Sequence, residues 1–462
     1  MNLANGNGLV FNIGDRIEGF SNPLWVLLLS AFRICQIDIV IASKIIGLLS
    51  AILTLVFVRF TCSNFLRLTF PLSLVLLCYL ATNRSFVYYS ISGMETSFYM
   101  LCVMAMNYFL LNEKHLLASL VCGVLALTRP EGILYLLPLC IGVLLSTREL
   151  FATMRACAIP IGLYASFTCF RLIYYGTLLP NTYMAKMGDF VLSPSVLLSH
   201  LHIFIPYTGY ALGVGTYYLF FTLLGAVALA SKKLSPLHFS VGISVLFTWF
   251  SNGDWMSFGR FYLPVLPIIV LFTFVALHIL TLTAANALQR NSLLAIAILI
   301  LAYNVFDTAK AVEHLNRGDD YNPAMHARNH VSIGKYLASN SSPSDVVVVN
   351  EIGAIGFFSG LKVVDMQGLT DRAIPPLLWN NRLEAYADYI MGHDPTFILL
   401  NNKQKPSDTT FQPMQAAIFR RMMGSGFYRA GPVFHLNSYK DLMMFIRIPV
   451  DRKGGDRDSD SK

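Results

Sequence analysis

Charged residues are scarce in this chain. Only 13% of its 462 residues are Asp, Glu, Lys or Arg, against about 25% in a soluble globular protein, and 55% are hydrophobic. This deficit argues against a soluble enzyme and predicts an integral membrane protein. Basic cytoplasmic loops explain the net charge of +8. Since no dense Lys/Arg patch is interleaved with aromatic residues, nucleic acid is not expected as a partner.

Cysteine is missing from every position after Cys169, which excludes a disulfide framework in the C-terminal part. The eight cysteines lie in or beside apolar runs and form no Cys-x-x-Cys pair, so we interpret them as small buried hydrophobic residues. The opening "MNLANGNG" lacks the basic and apolar regions of a secretory signal.

Apolar segments predict about ten membrane spans, because a spanning helix needs about 20 mostly apolar residues. Some of these segments are short, and their flanks are expected to extend them. The segment 22–32 is too short to span and is predicted to lie in the membrane interface, with Trp25 as its anchor. The predicted spans are 39–60, 70–82, 94–111, 116–128, 133–145, 156–175, 207–230, 236–250, 261–283 and 293–306.

The character of the sequence changes after residue 306. Apolar runs at 345–350, 362–365 and 396–402 predict buried strands, and 326–338, 382–391 and 412–423 predict helices, so a small α/β domain is expected. The charged end without apolar residues predicts disorder. The predicted organisation is therefore an external loop and interfacial helix (1–38), a transmembrane domain (39–306), a C-terminal α/β domain (307–450) and a disordered tail (451–462).

The loops divide into two kinds. Because successive spans alternate sides, the polar and aromatic loops share one membrane face with the C-terminal domain, and short plain loops occupy the other. The plain loops carry more Lys and Arg, which favours the cytoplasm for them and the periplasm for the motif face. With ten spans both chain ends lie on the motif face. We therefore expect a first transmembrane helix upstream of Met1.

Ionisable residues at the motif-side ends of spans are candidates for a functional site. They are Lys44, Arg171, Glu95, Arg129 and Glu131. For Lys44 and Arg171 taken singly, snorkelling to the interface is the simpler interpretation, and a structural Arg–Glu pair explains "TRPEG". The convergence of the whole group on one face favours a site.

Two loops have unusual composition. In "GDWMSFGRFYLPVLP", Asp254, Trp255 and Arg260 lie together, and the planar fork of an arginine suits phosphate oxygens; an aromatic belt with a salt bridge is the alternative. In "LPNTYMAK", Asn181 is suited to a sugar hydroxyl and Lys186 to a phosphate, although a plain turn explains the asparagine equally well.

Six motifs in order resemble the GT-C-type membrane glycosyltransferases, over nearly the whole chain to about residue 372. They are "NGNGLVFNIGDRIEGFSNPLWVLLL", "SGMETSFYML", "LALTRPEGILYLLPL", "YYGTLLPNTYMAK", "NGDWMSFGRFYLPVLPI" and "GAIGFFSGLKVVDMQGLTD". Within this group, the sequence resembles the mycobacterial terminal arabinofuranosyltransferases and their bacterial relatives.

The resemblance implies a polytopic α-helical enzyme of the bacterial inner membrane. Such an enzyme moves a sugar from a polyprenyl-phosphate donor to a glycan or lipid acceptor of the cell envelope, with inversion, on the periplasmic side. It also implies an acidic pair after the first transmembrane helix. That pair would supply the main base, and we expect it upstream of Met1.

The residues present suggest the rest of the site. Transfer to a hydroxyl needs a carboxylate near the attacking oxygen and positive charge where the phosphate leaves. We predict Glu18 and Asp254 as catalytic carboxylates. Donor-phosphate contacts are predicted for Lys186, Arg260, Arg129 and Lys44. Sugar or acceptor contacts are predicted for Asp15, Asn22, Glu95, Glu131, Asn181 and Trp255.

The residue types leave several alternatives open. Carboxylates beside a phosphate can also hold a divalent cation, and the sequence does not identify a metal. A non-catalytic relative that only binds glycan or lipid, and a polytopic transporter, remain alternative functions. A transporter is expected to show inverted repeats and midspan charges, and neither is visible in the sequence.

Overall fold

The computed structural model describes residues 1–187, 200, 202, 223, 225–227, 234–251, 254, 256, 258–317, 323–405, 408–437 and 440–448. Within these residues the chain is a polytopic helical protein with a small C-terminal domain built on a sheet, as the sequence predicts. Trp255, the tail 451–462 and nearly all of the predicted span 207–230 lie outside the described residues.

The helices of the transmembrane domain follow the apolar runs, and several of them begin at Pro or at an Asn or Asp cap. Asp38, for example, accepts the backbone N–H groups of Val40 and Ile41 at 2.8 and 3.1 Å. The described helices are α1 (Pro23–Ile34), α2 (Ile39–Thr61), α3 (Phe70–Thr82), α4 (Arg84–Ile91), α5 (Thr96–Leu111), α6 (His115–Thr128), α7 (Leu136–Thr147), α8 (Leu150–Tyr175), α9 (Asn181–Met187), α10 (Ser235–Phe250), α11 (Leu266–Thr283) and α12 (Ala287–Arg317).

Nine of the ten predicted spans coincide with helices in the described residues. Five helical segments there are long and apolar enough to cross a membrane, and α3 with α4 forms a sixth candidate that is bent by 56°. Flanking residues lengthen the predicted spans 133–145 and 293–306, as expected: a 3₁₀ turn joins α7, and α12 continues to Arg317. The flanks do not lengthen α6, which has only 14 residues.

The short helix α1 packs on the bundle through Trp25. This side chain is only 5% exposed, and its ring lies 6.2 Å from that of Phe98 on α5. The prediction that Trp25 anchors the helix in the membrane interface was therefore wrong, because the indole is buried against protein.

The C-terminal domain is a mixed sheet covered by helices. Its strand order is β2-β1-β3-β6-β5; β1 pairs with β2 and β3 in parallel, the other neighbours are antiparallel, and β4 pairs with β3. Its elements are α13 (Pro323–Ser339), β1 (Val346–Val349), α14 (Ile352–Ser359), β2 (Lys362–Asp365), α15 (Ile374–Trp379), α16 (Leu383–Met391), β3 (Phe397–Lys405), β4 (Asp408–Thr410), α17 (Pro413–Ser425), β5 (Tyr428–Asn437) and β6 (Lys440–Arg447).

The N-terminal loop joins this domain to the helical bundle. The Asn12 amide donates to the carbonyl of Val363 at 2.9 Å and accepts its N–H at 3.0 Å, as a neighbouring strand would at the open edge of β2. On the other side, Tyr174 accepts the N–H of Leu9 and Tyr175 donates to its carbonyl, at 3.2 and 2.6 Å. The loop therefore fixes the domain over one end of the bundle.

Candidate functional site

Arg129 lies at the centre of a buried charge cluster at the end of α6. The helix stops there because Pro130 follows, and the chain turns sharply at Gly132, where a Cβ atom would lie 1.9 Å from the carbonyl of Leu125. The guanidinium group contacts Glu131 at 2.5 Å and Glu95 at 3.1 Å. The structural Arg–Glu pair proposed for "TRPEG" is thus present as Arg129 and Glu131, and Arg129 also binds a second carboxylate, that of Glu95.

The cluster is extended by polar and aromatic neighbours. The second oxygen of Glu95 accepts the side-chain amide of Asn22 at 3.0 Å, at the start of α1. The guanidinium carbon of Arg129 lies 5.6 Å from the ring centres of both Tyr99 and Phe261, close enough for cation–π attraction. Predicted site residues from three separate motifs therefore meet here, together with Phe261 from a fourth motif.

Several buried polar atoms around this cluster have no hydrogen-bond partner among the described residues. Native proteins leave few buried polar groups unpaired, so such a concentration marks a place that holds water or a ligand. The atoms are Oγ1 of Thr96, Oγ of Ser97, the hydroxyl of Tyr99 and Oε2 of Glu131. The sequence gave no signal for Thr96, Ser97 or Tyr99, because a hydroxyl group in an apolar helix is common and has no distinctive pattern.

Asp254 and Arg260 form a bidentate salt bridge in the loop before α11. Nε and one terminal nitrogen of the arginine donate to the two carboxylate oxygens, each at 2.9 Å, and the aspartate side chain is 1% exposed. The loop turns through Phe258 and Gly259, which both have positive φ (65° and 63°). A left-handed phenylalanine is strained, as is common at functional loops. The predicted salt bridge is thus present, and it pairs the guanidinium group of Arg260 with the carboxylate of Asp254.

Lys186 lies at the end of α9, opposite these charges. The surrounding protein and the positive charges of Arg260 and Arg129 lower its pKa from the usual value, while Asp254 and Glu95 raise it. The side chain is exposed and has no ion-pair partner among the described residues. Among the described residues, Lys186 is therefore the cation of this group that no carboxylate neutralises.

Lys44 lies near the start of α2, beside the turn that carries Glu95. Its Cγ is 4.0 Å from where a Cβ atom of Gly93 would lie, and the lysine is exposed. It too has no carboxylate partner among the described residues. Both predicted lysines are therefore available for a ligand, whereas both predicted arginines are already paired.

Glu18, which the sequence predicts as a catalytic carboxylate, is buried in an ion pair. It is 1% exposed and is held by Arg171, whose Nε and second terminal nitrogen donate to its two oxygens at 2.6 and 3.3 Å. Arg171 also donates to the carbonyl of Leu178 at 3.1 Å. The interpretation of Arg171 as a snorkelling residue was wrong, because the guanidinium group is buried in a carboxylate pair.

Asn181 and Asp15 face the C-terminal domain. The side-chain amide of Asn181 donates to the carbonyls of Gly368, Leu369 and Asp371 at 2.7, 3.0 and 3.2 Å, so its N–H groups are engaged by backbone rather than directed to a sugar. Asp15 lies 3.9 Å from the ammonium group of Lys362. The structure thus assembles most of the predicted residues around Arg129 and places Glu18, Asn181 and Asp15 at the contact between domains.

No group of three His, Cys, Asp or Glu side chains with the spacing of a metal site occurs in the described part of the chain. The clustered carboxylates are bound by arginines, so the geometry assigns them no metal.

Comparisons with known proteins bear on the fold. A family model described only as a domain of unknown function (DUF8728) matches residues 320–440, the C-terminal domain. No curated protein matches the sequence. Among solved structures, the crystal structure of ArnT from Cupriavidus metallidurans bound to undecaprenyl phosphate is similar, with a TM-score of 0.52 and 10% identity over 92% of this chain and 88% of that one. This likeness confirms the GT-C-like fold; the likeness to arabinofuranosyltransferases stays a prediction.

Proposed function

We propose that this protein is a membrane glycosyltransferase that uses a sugar carried on a polyprenyl phosphate. The observation that carries the proposal is Lys186, an exposed lysine that has no ion-pair partner among the described residues, whereas the neighbouring Arg129 and Arg260 are already paired with carboxylates. A phosphate placed there would supply a counter-charge for this lysine. The fold shared with a protein whose structure contains undecaprenyl phosphate supports the same chemistry.

The surroundings of Lys186 suit a lipid-linked donor. Leu178, Leu179 and Met184, on and before α9, are 62%, 44% and 43% exposed. An apolar surface next to a phosphate-binding cation is what a prenyl chain with a phosphate head requires, because the chain must remain in the hydrocarbon layer while the head reaches the charges.

The reaction breaks the bond between C1 of the sugar and the phosphate oxygen, and forms a bond between C1 and the acceptor oxygen. The leaving phosphate keeps the electron pair and is stabilised by Lys186, while the acceptor loses its proton to a carboxylate. Among the described site carboxylates, Glu131 has a buried oxygen without a partner and is proposed to bind the acceptor hydroxyl.

Binding of the lipid phosphate gives the first test. In nanodiscs, the Lys186→Gln variant is expected to bind undecaprenyl phosphate about tenfold or more weakly than the wild type, because a charge-assisted contact is lost. Undecaprenol, which lacks the phosphate, should bind both proteins equally. Lys114→Gln is the matched control, since Lys114 is exposed at the opposite end of α6. Equal binding of undecaprenyl phosphate by wild type and Lys186→Gln would overturn the proposal.

A non-catalytic glycan- or lipid-binding relative is the second candidate. It is favoured by the closed pairs at Glu18 and Asp254, which leave neither predicted carboxylate free to accept a proton. The two functions differ in turnover. Release of undecaprenyl phosphate from undecaprenyl-phosphate sugars supports the transferase, whereas binding of the donor without release, over a panel of sugars and acceptors, supports the non-catalytic protein.

A further inference from the structure

Two exposed arginines lie together at the end of α8, and the proposed reaction uses neither of them. One terminal nitrogen of Arg372 donates to the backbone carbonyl of Arg16 at 3.3 Å and to that of Tyr175. The guanidinium carbon of Arg16 lies 5.1 Å from the ring centre of Tyr174. Both arginines are exposed. We call Arg16 and Arg372 the junction arginines, because they lie where the N-terminal loop, the end of α8 and the C-terminal domain meet.

The acidic residues beside the junction arginines in the sequence have other partners. Asp15 lies 3.9 Å from the ammonium group of Lys362. Asp371 accepts the hydroxyl of Tyr389 at 3.1 and 2.9 Å and lies 3.8 Å from His393. Neither junction arginine has an ion-pair partner among the described residues. The two guanidinium groups are therefore free to bind an anion.

The end of α8 lies at the level of the lipid headgroups. This helix is a candidate membrane span of 26 residues, about 39 Å long at about 1.5 Å per residue, whereas the hydrocarbon layer is about 30 Å thick. Only 22% of its most apolar 18-residue window is buried inside the protein, so the helix lies at the periphery of the bundle and faces lipid. Its last residues, and the arginines that contact them, therefore reach the headgroup layer.

The surface of α8 changes from apolar to charged toward this end. The ring of Phe170 stacks on that of Tyr174, with 5.2 Å between the ring centres, and Tyr174 in turn contacts the guanidinium group of Arg16. Phe170 is 38% exposed, and Ile173, next to Tyr174, is 86% exposed. A phospholipid has the same order of groups, since its acyl chains lie in the hydrocarbon layer and its phosphate lies above them. The surface therefore complements a phospholipid in both parts.

We propose that the junction arginines bind the phosphate of an anionic phospholipid of the surrounding bilayer. A guanidinium group offers several N–H donors to phosphate oxygens, and each cation near an anionic lipid surface adds to the attraction. A zwitterionic lipid binds more weakly, because its own ammonium group neutralises the phosphate. The bound lipid holds the N-terminal loop and the C-terminal domain at the membrane surface. The inference does not rest on the proposed function, since this lipid belongs to the bilayer and is not the sugar donor.

The test maps where a photoreactive phosphatidylglycerol labels the full chain in phosphatidylcholine nanodiscs. We expect labelling of peptides from 9–20 and 167–178, which unlabelled phosphatidylglycerol suppresses and phosphatidylethanolamine or inorganic phosphate does not. Arg16→Gln should lower this labelling about fivefold, the contribution of one cation at an anionic lipid surface. Arg16→Lys keeps the charge and should retain most of it. Arg155→Gln is the matched control, because Arg155 is an exposed arginine near the opposite end of the same helix.

The outcomes separate this inference from the proposed function. Labelling of these peptides that falls in Arg16→Gln but persists in Arg155→Gln and Lys186→Gln supports it. Labelling that is unchanged in Arg16→Gln, or that phosphatidylethanolamine suppresses as well as phosphatidylglycerol does, overturns it. If undecaprenyl phosphate suppresses the labelling at lower concentration than phosphatidylglycerol, the arginines belong to the donor site and the inference fails. Loss of undecaprenyl phosphate binding in Lys186→Gln tests only the proposed function.

Discussion

The transmembrane end of the site and the C-terminal domain stabilise their buried carboxylates by different means. At the transmembrane end, arginines do this: Glu18 is held by Arg171 and Asp254 by Arg260. In the C-terminal domain, Asp365 accepts the backbone N–H groups of Gln367 and Thr370 at 2.9 and 3.2 Å. The transmembrane end therefore uses charged Arg–carboxylate pairs, and the C-terminal domain uses neutral backbone N–H donors.

The difference concerns charge. At the transmembrane end the arginines are paired, and Lys186 and Lys44 have no carboxylate partner among the described residues; the proposed phosphate site depends on these lysines. In the C-terminal domain, backbone N–H groups stabilise Asp365 as neutral donors.

The largest expected effect comes from opening a buried pair. Glu18→Ala leaves Arg171 charged, buried and without its partner, so we expect a loss of about 3–5 kcal/mol in the free energy of unfolding. Burial raises the pKa of Glu18 although Arg171 lowers it, so desolvation outweighs the attraction between the partners. Replacing both residues, as Glu18→Leu with Arg171→Met, should therefore recover most of the stability. Chemical unfolding in detergent measures both.

The same pair of variants tests the catalytic prediction for Glu18. If the carboxylate only supports the loop, the double variant should regain donor turnover together with stability. If the double variant is stable but still shows no turnover, that result would support a catalytic role for Glu18.

In the C-terminal domain the expected effect depends on pH. Burial raises the pKa of Asp365 from its usual 3.8 to about 6, more than its backbone hydrogen bonds lower it. A folded state that holds its proton more tightly than the unfolded chain is favoured at low pH. Stability should therefore fall as pH rises from about 4 to 6, by about 3 kcal/mol for this group. Asp365→Asn should flatten this part of the profile, measured by thermal unfolding of the full protein; an unchanged slope contradicts the assignment.

Hydropathy predicted the helices well, because each apolar run must satisfy its backbone within the membrane. Three strands were predicted for a similar reason, since β1, β2 and β3 are continuous apolar runs. Strands β5 and β6 were missed. Gly431 and Pro432 interrupt the first, where the pairing register shifts, and neither strand alternates regularly.

The site was predictable as a set of residues but not as a set of partners. Glu18 and Arg171 are 153 positions apart, and no local pattern states that one will hold the other. Asn181 likewise looked like a polar contact in a turn, whereas its partners are carbonyls of the distant C-terminal domain. The type of charge follows from the sequence, whereas the pairing of the charges follows from tertiary packing.

A smaller effect is expected at the contact between the two regions. Asn181→Ala removes three hydrogen bonds to backbone carbonyls and should cost about 1–3 kcal/mol, with a higher KM for the lipid donor because α9 positions Lys186. Asn181→Asp is the decisive variant. It retains an acceptor for a sugar hydroxyl but loses the donor for the carbonyls, so a positioning role predicts that it fails like the alanine variant. Near-normal KM in Asn181→Asp would favour the sugar contact.

The smallest expected effect is a pH dependence of donor binding. Lys186 must be protonated to attract the phosphate, and its surroundings lower its pKa from the usual 10.5. Affinity for undecaprenyl phosphate should therefore decline as pH rises through that lowered value, by at most tenfold per pH unit, and at a lower pH than for an ordinary lysine. Lys186→Arg keeps its charge across this range and should remove the decline, whereas Lys44→Arg should leave it in place. Titration from pH 8 to about 10.5 avoids the second ionisation of the phosphate, near pH 6, so the charge of the ligand stays constant over the range. A decline that survives in Lys186→Arg would contradict the assignment of the phosphate site to Lys186.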